Sequence, residues 1–190
     1  SVMVPTADSV RLSFLSDMLV KMNNPVMFVG GAGTGKTTLA RTYMKEMDPD
    51  KMLSWTINMN YYTDARSLQA QLEQPIDKRS GKSYGPPASK KLIYFIDDLN
   101  MPKVDTYGTQ QPIAMLHYIM SNGKVYDREK LDLKTLKDLQ YIGAMGPPGG
   151  GRNPVDTRFI ALFNVFNLTS PTASVLVSIY SSIINTRFKD

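Results

Sequence analysis

The sequence predicts an α/β fold, a parallel five-stranded sheet flanked by helices, formed by residues 1–190 as one domain. Three observations point there. Apolar runs of strand length alternate with helix-period patterns, as a parallel sheet covered on both faces requires. The apolar run at 26–29 passes directly into a glycine-rich loop and then a helical pattern. The run Leu92-Ile93-Tyr94-Phe95-Ile96 is apolar on both faces, which suits a strand at the centre of such a sheet.

Taken in order, the pattern opens with a helix over 8–22, with Asp8 as N-cap and Leu12, Leu15 and Leu19 on one face. The first strand, 26–29, leads into the loop, and a helix over 36–47 stops at Asp48-Pro49. A second strand at 52–59 is followed by a helix from Thr63-Asp64 that carries Ala65, Leu68 and Leu72 on one side. Residues 74–91 contain Pro75, Gly81, Gly85, Pro86 and Pro87 and read as an exposed loop or excursion. The third strand, 92–96, ends in Asp97-Asp98. A helix over 112–120 closes at Asn122-Gly123, and Val125-Tyr126 with the stretch near Lys137 suggests a small hairpin. The fourth strand, 139–145, precedes the loop Gly146-Pro147-Pro148-Gly149-Gly150-Gly151-Arg152. A fifth strand at 160–166 leads to a final helix capped by Ser170 or Thr172.

A 42% hydrophobic, 21% charged composition excludes a disordered chain. The charge of +5 comes from scattered residues rather than runs, which gives no nucleic-acid or membrane-surface signature. Without cysteine there is neither a disulfide framework nor a thiolate metal site, and no stretch is long and apolar enough to span a bilayer. A signal peptide is absent from Ser1-Val2-Met3-Val4-Pro5, so the reading is cytosolic. His117, the single histidine, lies among Met115, Leu116 and Ile119 and reads as a packing residue, and the twelve methionines as core filler.

The chemistry concentrates in Gly30-Gly31-Ala32-Gly33-Thr34-Gly35-Lys36-Thr37, with Thr38 following. This is the full G-x-x-x-x-G-K-[ST] pattern, placed between a strand and a helix. Such glycines let successive N–H groups point inward at phosphates, next to the positive end of the following helix. Lys36 is expected to reach the β and γ phosphates and Thr37 to place its hydroxyl on Mg²⁺. Asp97, at the end of a buried strand, is the expected second metal anchor, and Asp98 the residue that polarises attacking water. Arg152 and Arg158 follow a Gly/Pro loop and are candidates for stabilising transition-state charge, including on a neighbouring subunit.

The combination of Val4-Pro5-Thr6-Ala7-Asp8, the loop 30–37, Phe95-Ile96-Asp97-Asp98-Leu99-Asn100-Met101-Pro102 and Ala144-Met145-Gly146-Pro147-Pro148-Gly149-Gly150-Gly151-Arg152 resembles the dynein heavy chain. More closely it is similar to the large nucleotide-binding domain of the third AAA+ module of an axonemal dynein, across essentially the whole chain. The resemblance implies that Val4, Pro5 and Thr6 lie against adenine, that the loop is Walker A, and that Asp97 and Asp98 are the Walker B pair. It implies Arg158 near the interface with the adjacent module. It further implies ATP or ADP with Mg²⁺ as ligands and a regulatory module with slow hydrolysis. The partners it implies are neighbouring AAA+ modules, dynein intermediate and light chains, and microtubules through the full motor. Cytoplasm, cytoskeleton and the axoneme of a cilium follow as the setting.

Two departures from the general AAA+ pattern bear on rate. Asp98 stands where a glutamate is usual, one methylene shorter, and Gly146 stands where a sensor asparagine is usual. Both point to slow turnover, as does the expectation that the small helical lid lies beyond residue 190. Two alternatives follow from the residues: a nucleotide-locked structural module, or a stand-alone P-loop kinase or GTPase. The second is disfavoured by the lack of an Asn-Lys-x-Asp guanine-reading tetrad.

Overall fold

The computed structural model describes residues 4–188; Ser1-Val2-Met3 and Lys189-Asp190, read above as the two ends of the domain, lie outside the described residues. Helix α1 (Ala7–Lys21) is capped by Thr6, not by Asp8. Thr6 Oγ1 accepts from the Ser9 amide at 3.2 Å, and Ser9 Oγ accepts from the Thr6 amide at 2.8 Å, a reciprocal box that fixes the helix start. Asp8 instead sits in the first turn, where its charge suits the helix dipole. Leu12 and Leu19 pack on the core but Leu15 is exposed.

Strand β1 (Val26–Gly30) is followed by α2 (Lys36–Glu46), β2 (Met52–Asn58) and α3 (Ala65–Glu73), the last capped by Asp64 through the Ser67 amide at 2.7 Å. Strands β3 (Asp77–Lys78) and β4 (Ser83–Gly85) precede β5 (Lys91–Asp97) and α4 (Gln111–Asn122), which ends at the left-handed Gly123. Then come β6 (Lys124–Tyr126), β7 (Leu133–Leu136), β8 (Leu139–Met145), α5 (Thr157–Ile160), β9 (Asn164–Leu168) and α6 (Ala173–Arg187), capped by Thr172.

The main sheet has five strands in the order β2-β5-β8-β1-β9, all parallel. Alternate residues feed two apolar layers. Leu92, Tyr94 and Ile96 of β5 join Leu68, Leu116 and Phe159 on one face. Ile93 and Phe95 join Phe28, Leu39, Ala40 and Ile142 on the other. Because every strand runs the same way, the carboxyl ends of β1, β5 and β8 open onto one rim, the place where open parallel sheets hold ligands.

Two further expectations are corrected. The segment 74–91 is not a structureless loop: β3 and β4 belong to a second sheet in the order β3-β4-β7-β6, with Ile76, Gly85 and Pro86 buried. Its order comes from polar groups distant in sequence, including an Arg79–Asp138 ion pair and backbone bonds such as Thr135 to Lys82 at 2.8 Å, which leave no apolar period to read. The fifth strand begins at Asn164 rather than Ile160. Asp156 accepts from the Arg158 amide at 2.9 Å and opens the short α5, while Phe159 and Phe163 pack edge to face across a turn at 5.2 Å. The Asn164 amide then donates to Pro25 at 2.8 Å and sets β9 against β1. The expected hairpin is present as β6 paired with β7.

Candidate functional site

The rim is built first by the loop after β1. Gly30 is the last residue of that strand, and a β-carbon there would stand 2.4 Å from the Leu168 carbonyl oxygen, so only glycine lets the chain turn against β9. At the far end Gly35 takes φ 86, outside the range of ordinary side-chain-bearing residues, and delivers the chain into α2 at Lys36. Ala32, Gly33 and Thr38 are exposed; Gly31 and Thr34 are half-buried, and Thr34 Oγ1 donates to the Gly31 carbonyl at 3.0 Å.

The Lys36 ammonium lies along this loop. It donates to the Gly30 carbonyl at 2.9 Å and the Gly31 carbonyl at 2.7 Å, with Thr34 Oγ1 at 3.5 Å. Burial lowers its pKa, Asp97 opposes the fall, Arg152 adds to it, and Asp98 again opposes it. A cation held this way, solvated by neutral dipoles, gains by exchanging them for phosphate oxygens.

Across the rim, Thr37 Oγ1 donates to Asp97 Oδ2 at 2.7 Å, joining the first turn of α2 to the end of β5. Asp97 is buried, and its other oxygen accepts from the Asp98 amide at 3.0 Å. A hydroxyl and a carboxylate side by side, both hard oxygen donors, suit Mg²⁺, which takes few protein ligands and keeps its waters. Asp98 has φ 55, a left-handed conformation that few non-glycine residues adopt and that marks a position held by its surroundings. The Leu99 amide, donating to Ala144 at 3.1 Å, is one of those restraints.

The end of β8 supplies the remaining wall. Gly146 is buried, and its carbonyl accepts from Asn100 Nδ2 at 2.7 Å. Arg152 folds back over it, with a terminal nitrogen 3.7 Å from Asp98 Oδ1. The turn that returns it is closed by reciprocal bonds between Gly149 and Arg152, at 2.9 and 3.1 Å.

The structure thus brings together Lys36, Thr37, Asp97, Asp98 and Arg152. Arg158 stands apart: it is exposed on α5, and among the described residues no ion pair or side-chain hydrogen bond joins its guanidinium to the rim. Within the domain, then, Arg158 stands on the exposed side of α5, whose start is capped by Asp156. Val4 is half-buried and Pro5 exposed just ahead of α1. Pro5 borders a cleft of about 550 Å³ between α1 and α2, lined also by Phe14, Leu39 and Tyr43, which includes no residue of the loop 30–37. This cleft is therefore separate from the loop 30–37. Asn100 was missed as a functional residue; its signal was an asparagine two places after a strand-ending Asp-Asp pair, where a buried amide can tie two strand ends together.

The family described as P-loop containing dynein motor region matches residues 1–171. Relatives include Dynein axonemal heavy chain 10 of Homo sapiens, 44% identical over 97% of this chain and 4% of its own length. Dynein-1-alpha heavy chain, flagellar inner arm I1 complex, of Chlamydomonas reinhardtii is 45% identical over the same shares. The ciliary dynein beta chain of Tripneustes gratilla is 42% identical, again over 97% of this chain and 4% of its own. The chain therefore spans about 4% of the length of these curated relatives. A strand-loop-helix phosphate cradle, a buried Asp at the neighbouring strand end and a match over nearly the whole chain lead to one conclusion: the chain belongs to the P-loop dynein motor region family.

Proposed function

We propose that this domain binds ATP with Mg²⁺ as the large domain of the third AAA+ module of an axonemal dynein heavy chain, hydrolysing it slowly in a regulatory capacity. The observation that carries the reading is the Thr37–Asp97 bond of 2.7 Å beside Lys36, which joins a metal-binding pair to the phosphate loop. The loop amides of 30–37 and the Lys36 ammonium hold the phosphate chain, while Val4 and Pro5 border the adenine. Thr37 and Asp97 hold Mg²⁺, which when bound neutralises charge on the β and γ oxygens. Asp98 orients the attacking water and accepts its proton. Arg158, whose guanidinium has no ion pair among the described residues, faces the adjacent module, where its charge serves that module's site. The partners are then the neighbouring AAA+ modules, intermediate and light chains, and microtubules through the whole motor, in the axoneme of a cilium or flagellum.

Slow turnover is supported by two features. Asp98 is shorter than a glutamate, and a misplacement of about 1 Å costs on the order of a hundredfold in rate. Its carboxylate also has Arg152 at 3.7 Å, which competes with water for it. That same pairing favours a second reading, a nucleotide-locked module without turnover. Single-turnover phosphate release in the complete ring, other sites silenced, separates them: Asp98→Asn is expected to slow release at this site at least about tenfold. Unchanged release would remove Asp98 from the chemistry, and no release from the unaltered site would leave the locked module.

A further inference from the structure

We propose that Arg152 is an intramolecular sensor of the terminal phosphate, reading ATP against ADP from the space that Gly146 leaves open and exchanging Asp98 for the γ-phosphate when it does so. The inference rests on the nucleotide site proposed above and adds a residue and a selectivity to it.

Strand β8 lies between β1 and β5, so its end stands between the phosphate loop and the Asp97-Asp98 pair. A polar side chain growing from that point would face the last phosphate. Position 146 has none, and the volume is taken by another residue: a β-carbon built there would meet Arg152 Nε at 2.6 Å and Cδ at 2.7 Å. Glycine at 146 and arginine at 152 therefore form one device, in which the first makes room and the second fills it.

The guanidinium is anchored but not satisfied. Its backbone is pinned by the Gly149–Arg152 bonds, and the next residue is tied to the β5 end, the Asn153 amide donating to Asn100 at 2.9 Å and Asn153 Nδ2 to Pro102 at 2.9 Å. Yet among the described residues Nε is buried with no hydrogen-bond partner, and the Asp98 contact of 3.7 Å is an ion pair too long for a hydrogen bond. A planar fork of N–H donors is thus held at the rim, one of them buried without a partner and its terminal nitrogens only loosely paired. An arginine that served only as a packing plug would have no need of a buried, unpaired donor, which is costly in a folded protein.

The charge distribution points the same way. Lys36 lies along the phosphate loop and Arg152 stands 3.7 Å from Asp98, so two cations share one rim. A ligand with an additional phosphate relieves that repulsion and supplies acceptors for the free donors. Lys36 spans the β and γ positions, and Arg152, on the Asp98 side, is left with the γ oxygens alone. When they take the guanidinium, Asp98 is released toward water.

The test uses the full heavy chain with the lysines of its other P-loops replaced by alanine, and measures the affinity of this site for ADP and for a non-hydrolysable ATP analogue. Arg152→Gln is expected to weaken the analogue roughly 10- to 100-fold, the range for a hydrogen bond to a charged group, and ADP by less than about threefold. Gly146→Ala, whose methyl must push the guanidinium off its seat, is expected to reproduce the loss, and Arg152→Lys to recover part of it. Equal losses for both nucleotides, or no loss, would overturn the sensor and leave a structural plug. Lys36→Ala serves as the separate check: if it leaves both affinities intact, the nucleotide site itself fails and the sensor with it, whereas loss with Lys36→Ala but undiminished discrimination in Arg152→Gln sinks the sensor alone.

Discussion

The two sheets of this domain are held together in opposite ways. The five-stranded sheet is an apolar object: Met27, Phe28, Ile93, Tyr94, Phe95 and Ile142 have almost no exposed surface, and its strands pair along most of their length. The four-stranded sheet is short and polar. Lys134 of β7 pairs with Glu73 at 3.0 Å and Asp127 at 2.8 Å and lies over the Tyr84 ring, while Lys82 reaches Asp132 at 2.6 Å. Burial would lower the Lys134 pKa, but its bonds to Asp127 and Glu73 outweigh that and raise it. The difference teaches where each kind of force is useful. A rim that must hold Lys36, Thr37 and Asp97 in register needs strands that cannot shift, and burial on both faces supplies that. The outer sheet needs only local order.

The comparison can be pressed at three strengths. Phe95→Ala, in the middle of the buried sheet, is expected to cost about 3–5 kcal/mol, a large part of a typical domain stability, with a melting temperature lower by roughly 10 °C. A loss as small as that of a surface substitution would show that the inner sheet is not the source of rigidity. Lys134→Ala should act locally: hydrogen exchange at β4 and β7 amides is expected to accelerate about tenfold while β5 and β8 amides keep their protection. Equal acceleration everywhere would mean that the two sheets unfold as one. The smallest effect concerns acid. The Asp127 carboxyl is held well below the ordinary carboxylate range by the Lys130 amide, the Lys134 ammonium and the Glu129 amide. A depressed carboxyl contributes stability that is fully present above its unfolded pKa and is lost as pH falls through its folded one. Protection of the outer sheet should therefore decline in strong acid, and the decline should flatten in Lys134→Ala.

What the sequence made legible follows the same division. Strand 139–145 is legible to the residue, and 26–29 and 92–96 within one residue at either end, because burial on both faces leaves runs that are apolar almost throughout, Gln140 being the polar exception. Lys36, Thr37 and Asp97 were legible because a phosphate cradle demands fixed residue types at fixed spacing, and the structure brings them together. The outer sheet was not legible, since pairs such as Lys82 with Asp132 join residues fifty apart and leave no local period. Nor was the α5 turn: the run from Phe159 to Phe163 has the composition of a strand, and the Asp156 cap that makes it helical is one side-chain bond. Arg152 could be named from its loop, but its partnership with Gly146 depends on a chain reversal that spacing does not reveal.

Gly30 has no side chain to keep it off the Leu168 carbonyl, and β1 pairs with β9 from Val26–Asn164 to Gly30–Leu168. The first residue of the phosphate loop is in this way coupled without slack to the outermost strand, which runs on through Thr172 into α6. A loop that rearranged at Gly30 would have to move against the Leu168 carbonyl of the rim strand.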